Sequence, residues 1–232
     1  MKIAVLNYSG NVGKTSIVNE VLKPNLPDYE VITIDSVNVS GKEKIVFRGE
    51  EADKIFTELL VQENAILDIG SSNLEQYFDS SNENNELLEY IDTFIVPIVP
   101  AIKQQNDSIK TIKDLIKFNI DPQKIFVVGN IIDKSEKSIF EDIFSILKKL
   151  NVNVCQTQIP KHDLYKNGSN IAKRAADETD YLALIEDARS KGDTENLRKY
   201  SNKLVVQRRV QRMNDIFVTL FGEIFHSGVS NE

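Results

Sequence analysis

A chain of 232 residues can bury a sizeable core, and 41% hydrophobic with 27% charged residues are ordinary globular values that exclude a disordered chain or a fibrous repeat. The formal net charge of -7 excludes a protein that is basic over its whole surface, though not a local basic patch. One cysteine, Cys155, and two histidines, His162 and His226, exclude a zinc cluster. With no signal peptide and no apolar run near the ~18 residues of a membrane span, the expectation is a soluble protein of a reducing compartment, cytoplasmic and away from the membrane.

In chain order, KIAVLNYS is an apolar run that stops at a Gly-containing turn, and TSIVNEVLK then shows helical spacing. VITIDS, NAILDIG, DTFIVPIV, KIFVVGNI and VNVCQTQI follow as β-branched runs that read as buried strands. Cys155 in the last of them reads as a small core residue. SIKTIKDLIKF and SIFEDIFSILKKL supply helices between the last three strands. Such alternation predicts an α/β fold with a mainly parallel sheet sandwiched by helices, through right-handed crossovers. Beyond Asp177 the sequence is charged and helix-prone. This divides one domain into a nucleotide-binding core over 1–176 and a helical region over 177–232 packed on it. In the last predicted helix Ile216, Phe217, Leu220, Phe221, Ile224 and Phe225 form one apolar stripe, suited to core or dimer packing.

The strongest chemical signal is Ser9-Gly10-Asn11-Val12-Gly13-Lys14-Thr15-Ser16, set between the first strand and the first helix. Glycines there let backbone N–H groups and a helix N-terminus wrap a phosphate. Lys14 is expected to reach the β- and γ-phosphates, and the Thr15 hydroxyl to meet Mg2+. Asp68, closing NAILDIG, has the form of a carboxylate that orients a magnesium-bound water, and Gly70 follows it. Asp35 closes VITIDS and is either a second site acid and metal partner or a turn-capping residue.

The general P-loop pattern has a glycine where this chain has Tyr8. The loop better resembles the K-G-G-x-G-K-[ST] variant of the ParA/MinD-type P-loop ATPases. Gly10, Val12, Gly13, Lys14 and Thr15 match it, while Ser9 stands at the signature lysine and Asn11 at the second glycine. Asn7 to Thr15 is closer still to the N-[YF]-S-G-N-V-G-K-[ST] wording of StbB-like plasmid-stability proteins. The resemblance spans about residues 1–175. It implies a Mg2+- and ATP-dependent molecular switch that forms a nucleotide-dependent homodimer and acts in plasmid partition or stability, with non-specific DNA or a plasmid-encoded adaptor protein as partner. The family's signature lysine reaches across the dimer to the partner's phosphates, and its D-x-D element has a second acid where Val37 stands. Ser9 and Val37 therefore put hydrolysis in question: it is slow, partner-stimulated, or carried by other residues such as Asn38.

The resemblance also assigns the base end of the nucleotide to Asn130, Asp133 and Pro160. Ile131 stands where a guanine-reading N-K-x-D has lysine, which favours ATP over GTP. Pro160 has a plain turn-forming reading besides. Between Arg189 and Arg212 eight basic residues face only Asp193 and Glu195. By family resemblance Arg198, Lys199, Lys203, Arg208, Arg209 and Arg212 are candidate DNA contacts, with Arg198, Lys199 and Lys203 as one cluster and Arg208, Arg209 and Arg212 as a second. A solvated helix surface is the alternative. Two other readings stay open: a P-loop kinase or ligase acting on a small molecule, and an interaction protein that binds nucleotide without hydrolysing it.

Overall fold

The computed structural model describes residues 1–34, 45–47, 51–72, 74, 86–133, 137–164 and 170–226. Asp35, Val37 and Asn38 lie outside the described residues, so the readings placed on them have no structural account.

The apolar runs form parallel strands β1 (Lys2–Val5), β2 (Glu30–Ile34), β3 (Ile45–Phe47), β4 (Ala65–Ile69), β5 (Thr93–Ile98), β6 (Ile125–Gly129) and β7 (Asn153–Val154). They make one sheet in the order β3-β2-β4-β1-β5-β6-β7. All of the pairings are parallel, as expected for strands without polar alternation. Two strands depart from the sequence reading. β3 is an edge strand too short for a periodicity signal, and it pairs only with β2. The run VNVCQTQI yields a two-residue β7, because beyond Cys155 the backbone N–H groups of Gln156 and Thr157 donate to the Glu223 carboxylate instead of a neighbouring strand.

Helices cover both faces. On one side α2 (Ala52–Val61), α3 (Glu86–Glu89), α4 (Ile102–Lys117) and α5 (Lys137–Lys149) bury Ile55, Leu59, Leu88, Ile112, Leu115, Ile143 and Leu147 against the sheet. On the other side lie α1 (Lys14–Ile17), α6 (Ile171–Ala175) and the long α8 (Thr194–Phe225), while α7 (Tyr181–Ser190) packs along α8. Phe217, Leu220 and Ile224 of the predicted apolar stripe are buried with Val210 and Met213 among the α1 and sheet side chains. The stripe is therefore core packing. No described helix is long and apolar enough to cross a membrane.

Parallel register brings the C-terminal ends of β1, β4 and β2 side by side: Val5 lies opposite Asp68, and Asp68 opposite Thr33. Asp68 and Thr33 share the face covered by α1, since their strand neighbours Leu67, Ile69, Ile32 and Ile34 belong to the opposite core.

Candidate nucleotide site

Residues 6–13 leave β1 and turn into α1, whose single helical turn widens into a π-helix over Val18–Leu22. Gly13, the residue before the helix, has φ +87°, and a Cβ there would lie 2.1 Å from the Asn130 Nδ2. Only glycine fits. Asn11 also takes a left-handed conformation, φ +57°, which asparagine tolerates better than other side chains. This explains how it stands where the ParA/MinD pattern has a glycine.

Side chains from other elements fix the loop by its carbonyls. Gln104 Nε2 donates to Gly10 O at 3.1 Å, and Asn130 Nδ2 donates to Val12 O at 2.7 Å. In a trans peptide the N–H of the next residue points opposite to the carbonyl. These two ties thus turn the amides of Asn11 and Gly13 away from Gln104 and Asn130, an orientation suited to receiving an anion. Asn7, fully buried, accepts from Ser9 N at 2.7 Å and donates to Pro97 O and Ser108 Oγ, which staples the loop to β5 and α4. Tyr8 is an anchor as well: its N–H donates to Thr111 Oγ1, its hydroxyl to Asp114, and Lys110 lies 4.2 Å from its ring centroid. That is why tyrosine replaces the usual glycine.

Lys14 is buried, with Nζ donating to Ser9 O at 2.9 Å and Asn7 O at 3.3 Å. Its charge is held inside the loop by carbonyl dipoles. Ser9, at the position of the signature lysine in the ParA/MinD pattern, is buried, and its hydroxyl supplies no cation there.

Together Gly10, Asn11, Gly13, Lys14, Thr15 and Ser16 line a cavity of about 420 Å³, bounded on the far side by Thr33, Asp68, Gly70, Ser71 and Ser72. Asp68 is 4% exposed. Thr33 is 6% exposed, and among the described residues its Oγ1 is buried without a hydrogen-bond partner. Leaving such a group unmade costs about 1–3 kcal/mol. The chemistry of this set fits a magnesium-bound polyphosphate: N–H donors, one ammonium, the Thr15 hydroxyl, one carboxylate and an unpaired hydroxyl converge on a single cavity.

A second cavity of about 290 Å³ adjoins the first through Gly13 and Ser16 and is lined by Asn130, Ile131, Ile159, Pro160 and Phe217. Two of the three predicted base-end residues, Asn130 and Pro160, meet there, joined by the bridge between Ile132 and Pro160. Asp133 is exposed and outside this lining. Asn130 also does something the sequence did not disclose: its amide holds Val12, and its Oδ1 accepts from Ile131 N. Ile131 has φ +56°, costly for a β-branched residue, at the mouth of this cavity. His162 lines the same cavity; burial lowers its pKa, opposed by nearby Asp163 and Glu20, so its ring is mostly neutral near pH 7. Cys155 lies deeper, and burial with the nearby Glu223 carboxylate pushes its thiol up to about 12, leaving an inert core residue.

Sequence reading missed Asn7, Thr33, Gln104 and Glu20. Glu20 is buried on the π-helix and accepts from the N–H groups of Asn170 and Ile171, tying α1 to α6. A polar residue inside an otherwise apolar run was the available signal for Asn7 and Thr33. For Gln104 and Glu20 the partners lie 94 and 150 or more residues away, beyond any local pattern.

All six basic candidates lie on α8 and are exposed. Their grouping differs from the expectation. At 3.6 residues per turn, Arg198, Arg208, Arg209 and Arg212 fall within roughly a third of the circumference. Lys199 and Lys203 occupy a different side, with Lys203 Nζ 5.7 Å from the ring centroid of Tyr181 on α7. Arg198 therefore belongs with the arginines and not with the lysines. Arg209 pairs with Asp163 in the segment leading from Pro160.

No protein-family model matches the sequence, and no curated protein sequence does. Solved structures do. The septum site-determining protein MinD of Pyrococcus horikoshii OT3, complexed with Mg-ADP, has a TM-score of 0.53 at 12% identity, covering 98% of this chain and 97% of that one. The MinD cell division protein of Aquifex aeolicus has a TM-score of 0.50 at 13% identity, covering 88% and 96%. A plasmid partition protein of Borrelia burgdorferi B31 bound to AMPPNP is similar more loosely, with a TM-score of 0.49 at 13% identity over 90% and 98%. The first two show the fold: this chain has a MinD-like P-loop NTPase fold, parallel sheet and C-terminal helix included.

Proposed function

We propose that the chain is a nucleotide-dependent switch of the ParA/MinD type that binds Mg-ATP, closes into a homodimer, and in that state engages DNA or a plasmid-encoded adaptor protein in plasmid partition or stability. The observation that carries this reading is the single cavity in which the Gly13 turn, Lys14, Thr15 and Asp68 converge. The loop amides and the Lys14 ammonium take the phosphates, trading the carbonyls of Ser9 and Asn7 for phosphate oxygens. Thr15 and Asp68 are the residues to hold magnesium, which when bound neutralises charge on the β- and γ-phosphates. The adjoining cavity takes the base, with Pro160 and Ile131 as its apolar walls and Asn130 linking base end to phosphate loop. Adenine is favoured over guanine because Ile131 follows Asn130 where a guanine-reading N-K-x-D has lysine.

A second reading has a specific observation in its favour. Ser9 is buried at the signature-lysine position, so each subunit lacks at that point the cation that would reach its partner's phosphates. Binding with little or no turnover is the corresponding behaviour: the dimer would be set by nucleotide occupancy, and turnover would wait on a partner.

For DNA, the arginine face of α8 is the candidate. Neutralising phosphates with several arginines releases counterions, so affinity falls with salt in proportion to the number of contacts. Replacing both Arg208 and Arg212, which lie one turn apart and away from the Asp163 pair, with alanine is expected to lower the log–log salt slope of DNA binding by about two. Fluorescence anisotropy on a mixed-sequence duplex across a salt series measures it. An unchanged slope would return these residues to the role of solubilising charge.

A further inference from the structure

Thr33 is the feature of the phosphate cavity that neither the fold nor the motif accounts for. It stands near the C-terminal end of a buried strand where valine would fill the same space without burying a hydroxyl, and its neighbours in β2, Ile32 and Ile34, are fully buried aliphatics. It lies in register with Asp68 on the adjacent strand and on the same sheet face. Its side chain is 6% exposed, it lines the cavity that Lys14, Thr15 and Asp68 line, and its Oγ1 has no partner. A buried hydroxyl left unpaired penalises the nucleotide-free protein, and a hydrogen-bonding group that reaches it from the cavity removes that penalty. The occupant that this setting favours is a hydrated divalent cation, because magnesium keeps several waters that need acceptors and donors around them. A carboxylate alone orients one or two of these waters. A hydroxyl one strand further out, beside that carboxylate, serves another.

From this we infer that Thr33 is a positioning residue for magnesium, its hydroxyl hydrogen-bonding a water of the cation's shell next to Asp68. This deepens the nucleotide-switch reading and rests on it. It makes the Thr33 hydroxyl a cost in the nucleotide-free protein and a gain in the Mg-nucleotide complex, a sign reversal that a purely structural threonine would not show.

The test compares Thr33→Val and Thr33→Ser with the wild type in two measurements: thermal melting without nucleotide, and ATP binding with Mg2+ or with EDTA. Thr33→Val is expected to melt at or above the wild-type temperature, to bind Mg-ATP roughly tenfold more weakly, and to bind ATP in EDTA like the wild type. Thr33→Ser, which keeps the hydroxyl, is expected to retain the Mg-dependent affinity. A lower melting temperature for Thr33→Val, unchanged Mg-ATP affinity, or an equal loss with and without Mg2+ would each overturn the inference. Those results leave the switch reading standing so long as the wild type binds Mg-ATP. A wild type that binds no nucleotide would remove both.

Discussion

Lys14→Ala is expected to weaken ATP binding by roughly 100-fold or more, with Mg2+ present, while leaving the protein folded. The magnitude follows from what the side chain does in each state. Without nucleotide, the ammonium is held by two carbonyl oxygens of its own loop, at 2.9 and 3.3 Å. Bound phosphate replaces carbonyl dipoles by full negative charges, so a buried ion pair is added to hydrogen bonds that the ammonium already makes. Removing the lysine is therefore expected to cost more in the complex than in the apo fold. Isothermal titration with ATP, paired with thermal melting of the same variant, separates the two. Unchanged affinity would mean that nucleotide does not bind at this loop.

The second large effect is expected at Gly13. Gly13→Ala forces a side chain into φ +87° and sets its Cβ 2.1 Å from the Asn130 amide. The backbone strain alone costs about 1–2 kcal/mol. Beyond that, the Asn130 carboxamide must leave, and with it the bond that holds the Val12 carbonyl. Stability and ATP affinity are expected to fall together. The double variant with Asn130→Ala identifies the cause, because removing the carboxamide makes room for the new methyl group. The double variant is expected to be destabilised less than the sum of the single effects, as is usual for residues in direct contact. Strict additivity, measured by urea denaturation, would show that Asn130 and Gly13 do not constrain each other.

Much of this site was legible in the sequence because its signals are local. A strand followed by Gly10-Asn11-Val12-Gly13-Lys14-Thr15 and then a helix needs no tertiary knowledge to be read as a phosphate loop. Asp68 at the end of an apolar run is equally direct. The rest depends on distance in sequence. β3 is a strand because β2 accepts it, and Asn130 is tied to Val12 across 118 residues. Thr33 looked like an ordinary β-branched strand residue until register set it beside Asp68. On α8 the charges were visible, but their grouping required knowing that one continuous helix runs from Thr194 to Phe225 with Phe217 and Leu220 facing inward. That phase turns Arg198 toward Arg208 and Arg212. It also explains a feature of the segment that lines the second cavity. Glu223 holds Gln156 and Thr157, and Arg209 holds Asp163, so α8 grips both ends of the segment that carries Pro160.

On the switch reading, Mg-ATP occupancy of the Lys14–Asp68 cavity controls association of the chain. Sedimentation of the wild-type protein with ATP and Mg2+, with ATP in EDTA, and without nucleotide tests it most directly when run beside equilibrium ATP binding. The expected result is saturable, magnesium-dependent ATP binding accompanied by conversion of monomer to dimer. Saturated binding with the sedimenting mass unchanged would contradict the switch and leave a nucleotide-binding protein that works as a monomer.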